Sequence, residues 1–357
     1  MPQPASLGAS TLPAAQSQVQ ATTETRTTSE AQADAVRQPQ YVSSSADVLY
    51  VGNRGNNSIT VYRHDASGNA APVRVIAGIK TGLNRPGQLA QDAAGNLYVA
   101  NGVSGSSSVV VFGHGANGNV APIRVLAGPA TGIHAIGAMT VDATTGKIFL
   151  EDIQYQTGGL LVNVSLLRFA PDANGNAAPY ARSQPGLFPS NELSSDSTGR
   201  NLVDAHDTNE PSNMGDGIDT LGKQFSNNAP PTPSGGSSIN SFYAAGIVDD
   251  PSTRTYLVST FDYPDNVNKL YRLAENTVGN GTYEGNPESL SPRPVAVVSN
   301  AACSGQLALG YLRNLYLACS GAVYVYGPNV SGNAPPLRTL RGSATLLDGA
   351  YGIFEGS

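Results

Sequence analysis

From Asp47 onward the chain alternates short β-branched or aromatic runs with polar residues, and clusters of Gly, Asn and Pro cut the runs apart, as in VLYVGN (48–53), NLYVAN (96–101) and SSVVVFG (107–113). Period-two alternation bounded by turn formers predicts strands rather than helices. Residues 1–45 have no such period. They are rich in Ala, Ser, Thr and Gln and poor in large apolar side chains, so burial cannot offset the entropy of ordering them. They are expected to form a disordered arm or stalk, with the folded domain spanning 46–357.

The runs recur. ASGNAAPVRVIAG (66–78) returns as ANGNVAPIRVLAG (116–128), ANGNAAPYARSQPG (173–186) and VSGNAPPLRTLRG (330–342). With diverged copies centred on Asn227 and Gly279, the landmarks Gly68, Gly118, Gly175, Asn227, Gly279 and Gly332 lie 50, 57, 52, 52 and 53 residues apart. A period of this length carrying four strands is that of a β-propeller. A second phrase fixes the strand count: GQLAQDAAGNLYVAN (87–101) recurs as GAMTVDATTGKIFLED (137–152) and GQLALGYLRNLYLAC (305–319), each a strand, a turn and a strand.

One unit therefore reads as inner strand a, then b, c and outer strand d. The chain enters at strand b (VLYVGN) and ends with an unpaired strand a (YGIFEG, 351–356), so the C-terminal strand is expected to complete the first blade. The fold class is all-β: a six-bladed propeller of four-stranded blades, closed in this way. The fourth blade is the least legible, because NAPPTPSGGSSINSFY (228–243) contains little that reads as strand d.

GQLAQDAAGNLYVAN followed by SSVVVF resembles the NHL-repeat family of six-bladed propellers, over roughly residues 47–357. That resemblance implies one of three roles: a binding module, a secreted protein, or a distant relative of propeller lyases and lactonases. A fold hosts many functions and does not choose among them.

Composition narrows the partners. Lys+Arg 20 against Asp+Glu 26 gives a net charge of −6, which disfavours nucleic acid. No apolar run is long enough to span a membrane. A Lys-poor surface rich in Thr, Asn and Gly points to an extracellular or periplasmic location; no export signal follows Met1, so that location implies a leader already removed. Cys303 and Cys319 flank the a-b hairpin of the sixth unit, where antiparallel neighbours come within disulfide range; two reduced thiols are the alternative.

In a propeller the b-c and d-a loops share one face, and here those loops are the irregular ones. Variable loops on a rigid scaffold are where binding resides. Following strand b to its end gives the rim residues Asn53, Asn101, Asp152 with Glu151, Asp204, Ser259 or Thr260, and Cys319. The oxygens of Asn53, Asn101, Asp152 and Asp204 would suit a hard cation such as Ca or Mg on the axis; the alternative is a water-filled polar channel. The loop DAHDTNEPSNMGDGID (204–219) is the most acidic stretch and contains His206. With Asp152, Tyr155 and Tyr263 from the neighbouring units, Asp204 and His206 make a candidate surface for a protein or glycan ligand. The motifs of serine hydrolases, zinc proteases and dithiol redox enzymes are absent. The expected function is a non-catalytic secreted or surface propeller that binds such a partner, or copies of itself through the N-terminal arm. The alternative is a metal-dependent lyase or lactonase with its cation on the axis.

Overall fold

The computed structural model describes residues 47–102, 105–155, 161–183, 189–206, 217–224, 233–238, 242–262, 266–275, 295–328 and 330–356. The chain divides into two units, Met1–Pro39 and Gln40–Ser357, and the elements below belong to the second. The expected arm, and the landmarks Asn227 and Gly279, lie outside the described residues.

Strands form where the alternation places them, and they assemble as six four-stranded antiparallel sheets. Blade 1 joins the two ends of the domain: β1 (Val48–Asn53), β2 (Ser58–Arg63) and β3 (Arg74–Ile76) continue a sheet begun by β24 (Ala350–Gly356). Blade 2 holds β4 (Leu89–Gln91), β5 (Leu97–Asn101), β6 (Ser108–Phe112) and β7 (Arg124–Leu126). Blade 3 holds β8 (Ile136–Val141), β9 (Ile148–Tyr155), β10 (Leu161–Phe169) and β11 (Ala181–Arg182). Blade 4 holds β12 (Ser190–Ser195), β13 (Asn201–His206), β14 (Gly217–Gly222) and β15 (Pro233–Ser238). Blade 5 holds β16 (Phe242–Asp250), β17 (Thr255–Asp262), β18 (Val267–Ala274) and β19 (Val295–Ala301). Blade 6 holds β20 (Leu307–Leu309), β21 (Leu315–Cys319), β22 (Ala322–Tyr326) and β23 (Arg338–Arg341).

The molecule is thus an all-β six-bladed propeller. Its closure is carried by β24, which pairs with β1 from Val48↔Gly356 to Asn53↔Ala350. One expectation needs correction: blade 4 has a strand d, and it is the segment PSGGSS, paired with β14. Without β-branched side chains that segment carries no strand signal, and its conformation is set by the backbone ladder.

The core lies between blades. Strand b turns alternate residues to its two neighbours: Leu97 and Val99 pack with Tyr50 of blade 1, while Tyr98 and Ala100 pack with Ile148 and Leu150 of blade 3. Leu49 and Val51 meet Tyr316 and Ala318 of blade 6 in the same way, which seals the ring. The repeated Gly-Asn turn has its own task. In blade 2, Asn117 Oδ1 accepts the Val75 N–H (3.0 Å), Gly118 N–H donates to Val75 O (2.6 Å), and Asn119 Oδ1 accepts the Lys80 N–H (2.8 Å). Asn174, Gly175 and Asn176 clasp blade 2 identically, and Gly68 and Asn69 clasp blade 6. Gly118 takes φ 76, a left-handed conformation that a Cβ would disfavour.

Candidate functional site

Every d-a loop described in blades 1 to 3 is tied to the end of strand b by one side chain. Asn53 Oδ1 accepts the Asp348 N–H (3.1 Å), Asn101 Oδ1 the Asn84 N–H (2.7 Å) and Asp152 Oδ1 the His134 N–H (2.5 Å). The amide of Asn53 donates to Ser58 Oγ and Thr60 Oγ1, and that of Asn101 to Gly82 O and Ser108 Oγ. Asn53 and Asn101 are therefore loop clamps, each bonded within its own blade. Among the described residues, no group of three or more His, Cys, Asp or Glu stands where it could hold a metal ion.

The ladder moves one rim position. Asp196 N bonds Asn201 O, and Ser195 pairs with Leu202, so the residue of blade 4 that corresponds to Asn101 is His206. Asp204 sits two residues earlier, at the position held by Val51, Val99, Leu150, Val258 and Leu317 in the other blades. It is buried there. The apolar alternation of NLVDAH cannot by itself show where the strand stops. The His206 side chain and all of Tyr263 lie outside the described residues.

At mid-height the axis is crossed by side chains. Position four before the a-b turn reads Gly352, Gln88, Ala138, Glu192, Gly246 and Gln306 around the ring, so polar side chains alternate with small ones. Gln88 Oε1 accepts from Met139 N–H (2.7 Å), and its amide crosses to Leu193 O (2.9 Å). Glu192 Oε2 accepts from Ile247 N–H (2.9 Å) and Leu307 N–H (3.0 Å), and the Gln306 amide donates to Asn191 O (2.7 Å). A Cβ on Gly246 would fall 2.8 Å from Glu192 Oε2, so the small residues make room for the large ones. Burial holds the Glu192 carboxyl well above the ordinary carboxylate range, against the pull of its two N–H donors. Single-unit reading misses this plug, because its partners lie 104 and 114 residues apart (Gln88, Glu192, Gln306) and show only when the six a strands are aligned.

Blade 3 departs from its neighbours at the loop face. Asp152 keeps the clamp but has a carboxylate where blades 1 and 2 have an amide, and its second oxygen meets His134 Nδ1 (2.9 Å) and Arg182 Nη1 (3.3 Å). Arg182 also donates to Gly132 O (2.6 Å). The preceding residue, Glu151, stands at a position that is Gly52, Ala100, Ala205, Ser259 or Ala318 elsewhere. It is fully buried and accepts from the Ser190 N–H (2.9 Å) and hydroxyl of blade 4. The blade order places Asp204 on the row that packs against blade 3, so both exceptions belong to the blade 3 to blade 4 seam.

Asp152 is wholly buried while the His134 side chain is 55 % exposed. A neutral His134 donating from Nδ1 leaves Nε2 as an acceptor on the solvent side, so the pair can accept a ligand hydroxyl or a proton. Tyr155, at the end of β9, is exposed on the same face. His134 and Arg182 are not among the expected site residues, although His134 precedes Asp152 by 18 residues, one more than Asn84 precedes Asn101, and that near-match could have exposed the clamp. Cys303 and Cys319 are bonded, with Cα atoms 6.0 Å apart, and tie the end of strand b of blade 6 to the loop before its strand a.

The family model described as "Lactonase, 7-bladed beta-propeller" matches residues 9–126, less than half of the chain. No curated protein matches. Among solved structures, the chain is similar to Kuenenia stuttgartiensis hydrazine synthase at 12% identity and TM-score 0.49, covering 79% of this chain and 73% of that one. It is also similar to the PQQ-bound aldose sugar dehydrogenase of Streptomyces coelicolor at 13% identity and TM-score 0.48, covering 76% and 86%. At these scores neither likeness says anything of this chain's chemistry.

Proposed function

We propose that the chain is a secreted or surface, non-catalytic propeller of the NHL type that binds a protein or glycan partner through its b-c/d-a face, centred on blades 3 and 4. One observation carries this reading: Glu151 and Asp204 put carboxylates where the other blades hold small or apolar residues, at one seam of that face, and His134 and Arg182 gather on the neighbouring Asp152. Residues that follow the pattern build the ring, whereas local rules are broken where function demands it. The Cys303–Cys319 bond suits an oxidising compartment, which supports an extracytoplasmic location.

The second reading is a hydrolytic or eliminating enzyme of the lactonase or lyase kind, favoured by the buried-Asp to exposed-His contact and by the lactonase family model over 9–126. A cation held on the axis by Asn53 and Asn101 finds less support, because it would have to break two loop clamps. The two readings part in one experiment on the full chain. Immobilised protein is screened against neutral and acidic oligosaccharides and peptides, and γ-butyrolactone hydrolysis is followed in parallel. Binding that weakens about tenfold or more in His134→Ala, with no hydrolysis above buffer, supports the binder. Saturable lactone hydrolysis abolished by His134→Ala would replace it with the enzyme.

A further inference from the structure

The blade 1 to blade 2 side of the same face has a different electrostatic character. Arg54 follows β1 in the b-c loop of blade 1, and its guanidinium lies 3.2 Å over the ring of Tyr351. Its Nε is buried with no hydrogen-bond partner. The guanidinium reaches over to blade 2, where a Cβ on Gly87 would lie 3.6 Å from Nη2. Arg85 stands just upstream in the d-a loop of blade 2. Among the described residues neither arginine forms an ion pair, although Asp348 lies beside Gly55 in the adjoining loop.

Two like charges side by side with no ion pair are unfavourable in a chain that has acidic residues to spare. Burial pushes the Arg54 guanidinium below its ordinary value, and Arg85 pushes it the same way, against an opposing pull from the Tyr351 phenol. The backbone adds a second, independent sign. Arg85 has φ 48, in the left-handed region, at a position where blade 1 uses Gly349 (φ 62). It also precedes Pro86, and it is held in place by the Asn57 Oδ1 that accepts its N–H at 2.7 Å. Asn57 itself has φ 53. Strain of this kind persists where the surroundings enforce it and gathers at ligand sites. Here it is kept at an arginine, where blade 1 has a glycine. The exposed residues around the pair include Asn56, Asn57 and Asn84, whose amides suit hydroxyl groups, with Asp348 beside Gly55 at the edge of the site.

We propose that Arg54 and Arg85 form a receptor for a compact oxyanion on a sugar, the carboxylate of a uronic acid or the sulfate of a sulfated saccharide, at the blade 1 to blade 2 side of the loop face. The proposal rests on the reading of that face as the binding face. Arg54, stacked and half-buried, gives the fixed fork for a planar oxyanion, and Arg85 supplies the second charge.

The test titrates the full chain with D-galacturonate while following the Arg54 Nε–H resonance, with sodium sulfate in a second titration at constant ionic strength. Methyl β-D-galactopyranoside and an acetylated Asp-Glu dipeptide serve as controls. The expected result is a saturable shift with galacturonate, none with the neutral sugar, and binding weakened at least about fivefold in Arg85→Gly. That variant relieves the left-handed strain, so its Tm should be equal to or above that of the parent, which separates lost binding from lost folding. Arg54→Leu should abolish the response, read from protein-detected calorimetry since the reporter is gone. A response to both anions assigns a general oxyanion site, and one to galacturonate alone a carboxylate site. No saturable shift with either anion, equal affinity in Arg85→Gly, or equal affinity for the dipeptide would overturn the proposal. Oligosaccharide binding that survives while galacturonate fails would remove this inference alone and leave the loop-face reading standing.

Discussion

In blade 2 the last residue of strand b, Asn101, gives its oxygen to the Asn84 N–H and its amide to Gly82 and Ser108, and the loop is closed with nothing left over. In blade 3 the corresponding Asp152 keeps the first bond, to the His134 N–H, and turns its second oxygen to His134 Nδ1 and Arg182. One atom separates Asn from Asp, yet the blade gains an exposed histidine oriented by a buried carboxylate. The clamp is architecture and survives in both; the charge is extra. The same contrast runs through the molecule. Positions that agree from blade to blade fill the seams or clasp the neighbouring blade, whereas at the seam of blades 3 and 4 Glu151 and Asp204 replace small or apolar residues by carboxylates.

If agreement marks architecture, breaking it should do the largest damage. Deleting β24 (Ala350–Gly356) removes the inner strand of blade 1 and uncovers Leu49 and Val51, which pack beside Ile353. Each buried side chain of this kind contributes about 1.5–3 kcal/mol, and whole domains hold only about 5–15 kcal/mol. Loss of a cooperative transition in calorimetry and strong dye binding are expected. Blade 6 offers a smaller break. Replacing Cys303 and Cys319 by Ser opens a cross-link between residues 16 apart, and urea denaturation should show a loss of about 3 kcal/mol.

Blades 4 and 5 sharpen the contrast through pH. Asp249 occupies a position that is Gln91, Val141 or Ser195 in other blades, and burial, then Glu275, pushes its carboxyl up to about 9. Asp196, Asp250 and Tyr256 also face this group, and Arg254 pairs with Glu275. The folded value lies above the unfolded one, so its stabilising effect is complete below about pH 4 and is lost as pH rises toward 9. Asp249→Asn should therefore be more stable than the parent at pH 8, by roughly 1–3 kcal/mol, with the difference vanishing near pH 4. Guanidinium denaturation across that range measures it. The clasp gives the next smaller effect: Asn117→Ala removes the acceptor for the Val75 N–H and should cost about 1 kcal/mol in the same assay.

The parts of the molecule visible in the sequence are those where local chemistry and global fold agree. LYV and VVVF could only be strands facing two neighbours, and an orphan YGIFEG at the end could only be matched by an orphan VLYVGN at the start. What stayed hidden depends on relations between units. β15 is a strand by its backbone ladder alone. The rim place of His206, rather than Asp204, follows from pairing with Ser190 and Gly217, which hydrophobic alternation does not encode. The axial plug of Gln88, Glu192 and Gln306 exists because Gly352, Ala138 and Gly246 stand between them, a compensation spread over the whole chain. His134 was legible in principle as the clamp partner of Asp152, but its ring becomes informative only once the carboxylate beside it is seen to be buried.

Architecture and binding are separable at a single position, and Asp152→Asn tests this against Asn101→Ala. Thermal unfolding and oligosaccharide binding are measured on both. Asn at position 152 should keep the clamp, as Asn101 and Asn53 do, so its Tm should stay within about 2 °C of the parent while ligand binding falls about tenfold or more. Asn101→Ala should lower Tm by several degrees through its lost buried bonds, and leave binding at blade 3 intact. A Tm loss in Asp152→Asn as large as that in Asn101→Ala, with binding unchanged, would show that Asp152 belongs to the scaffold and would contradict the account.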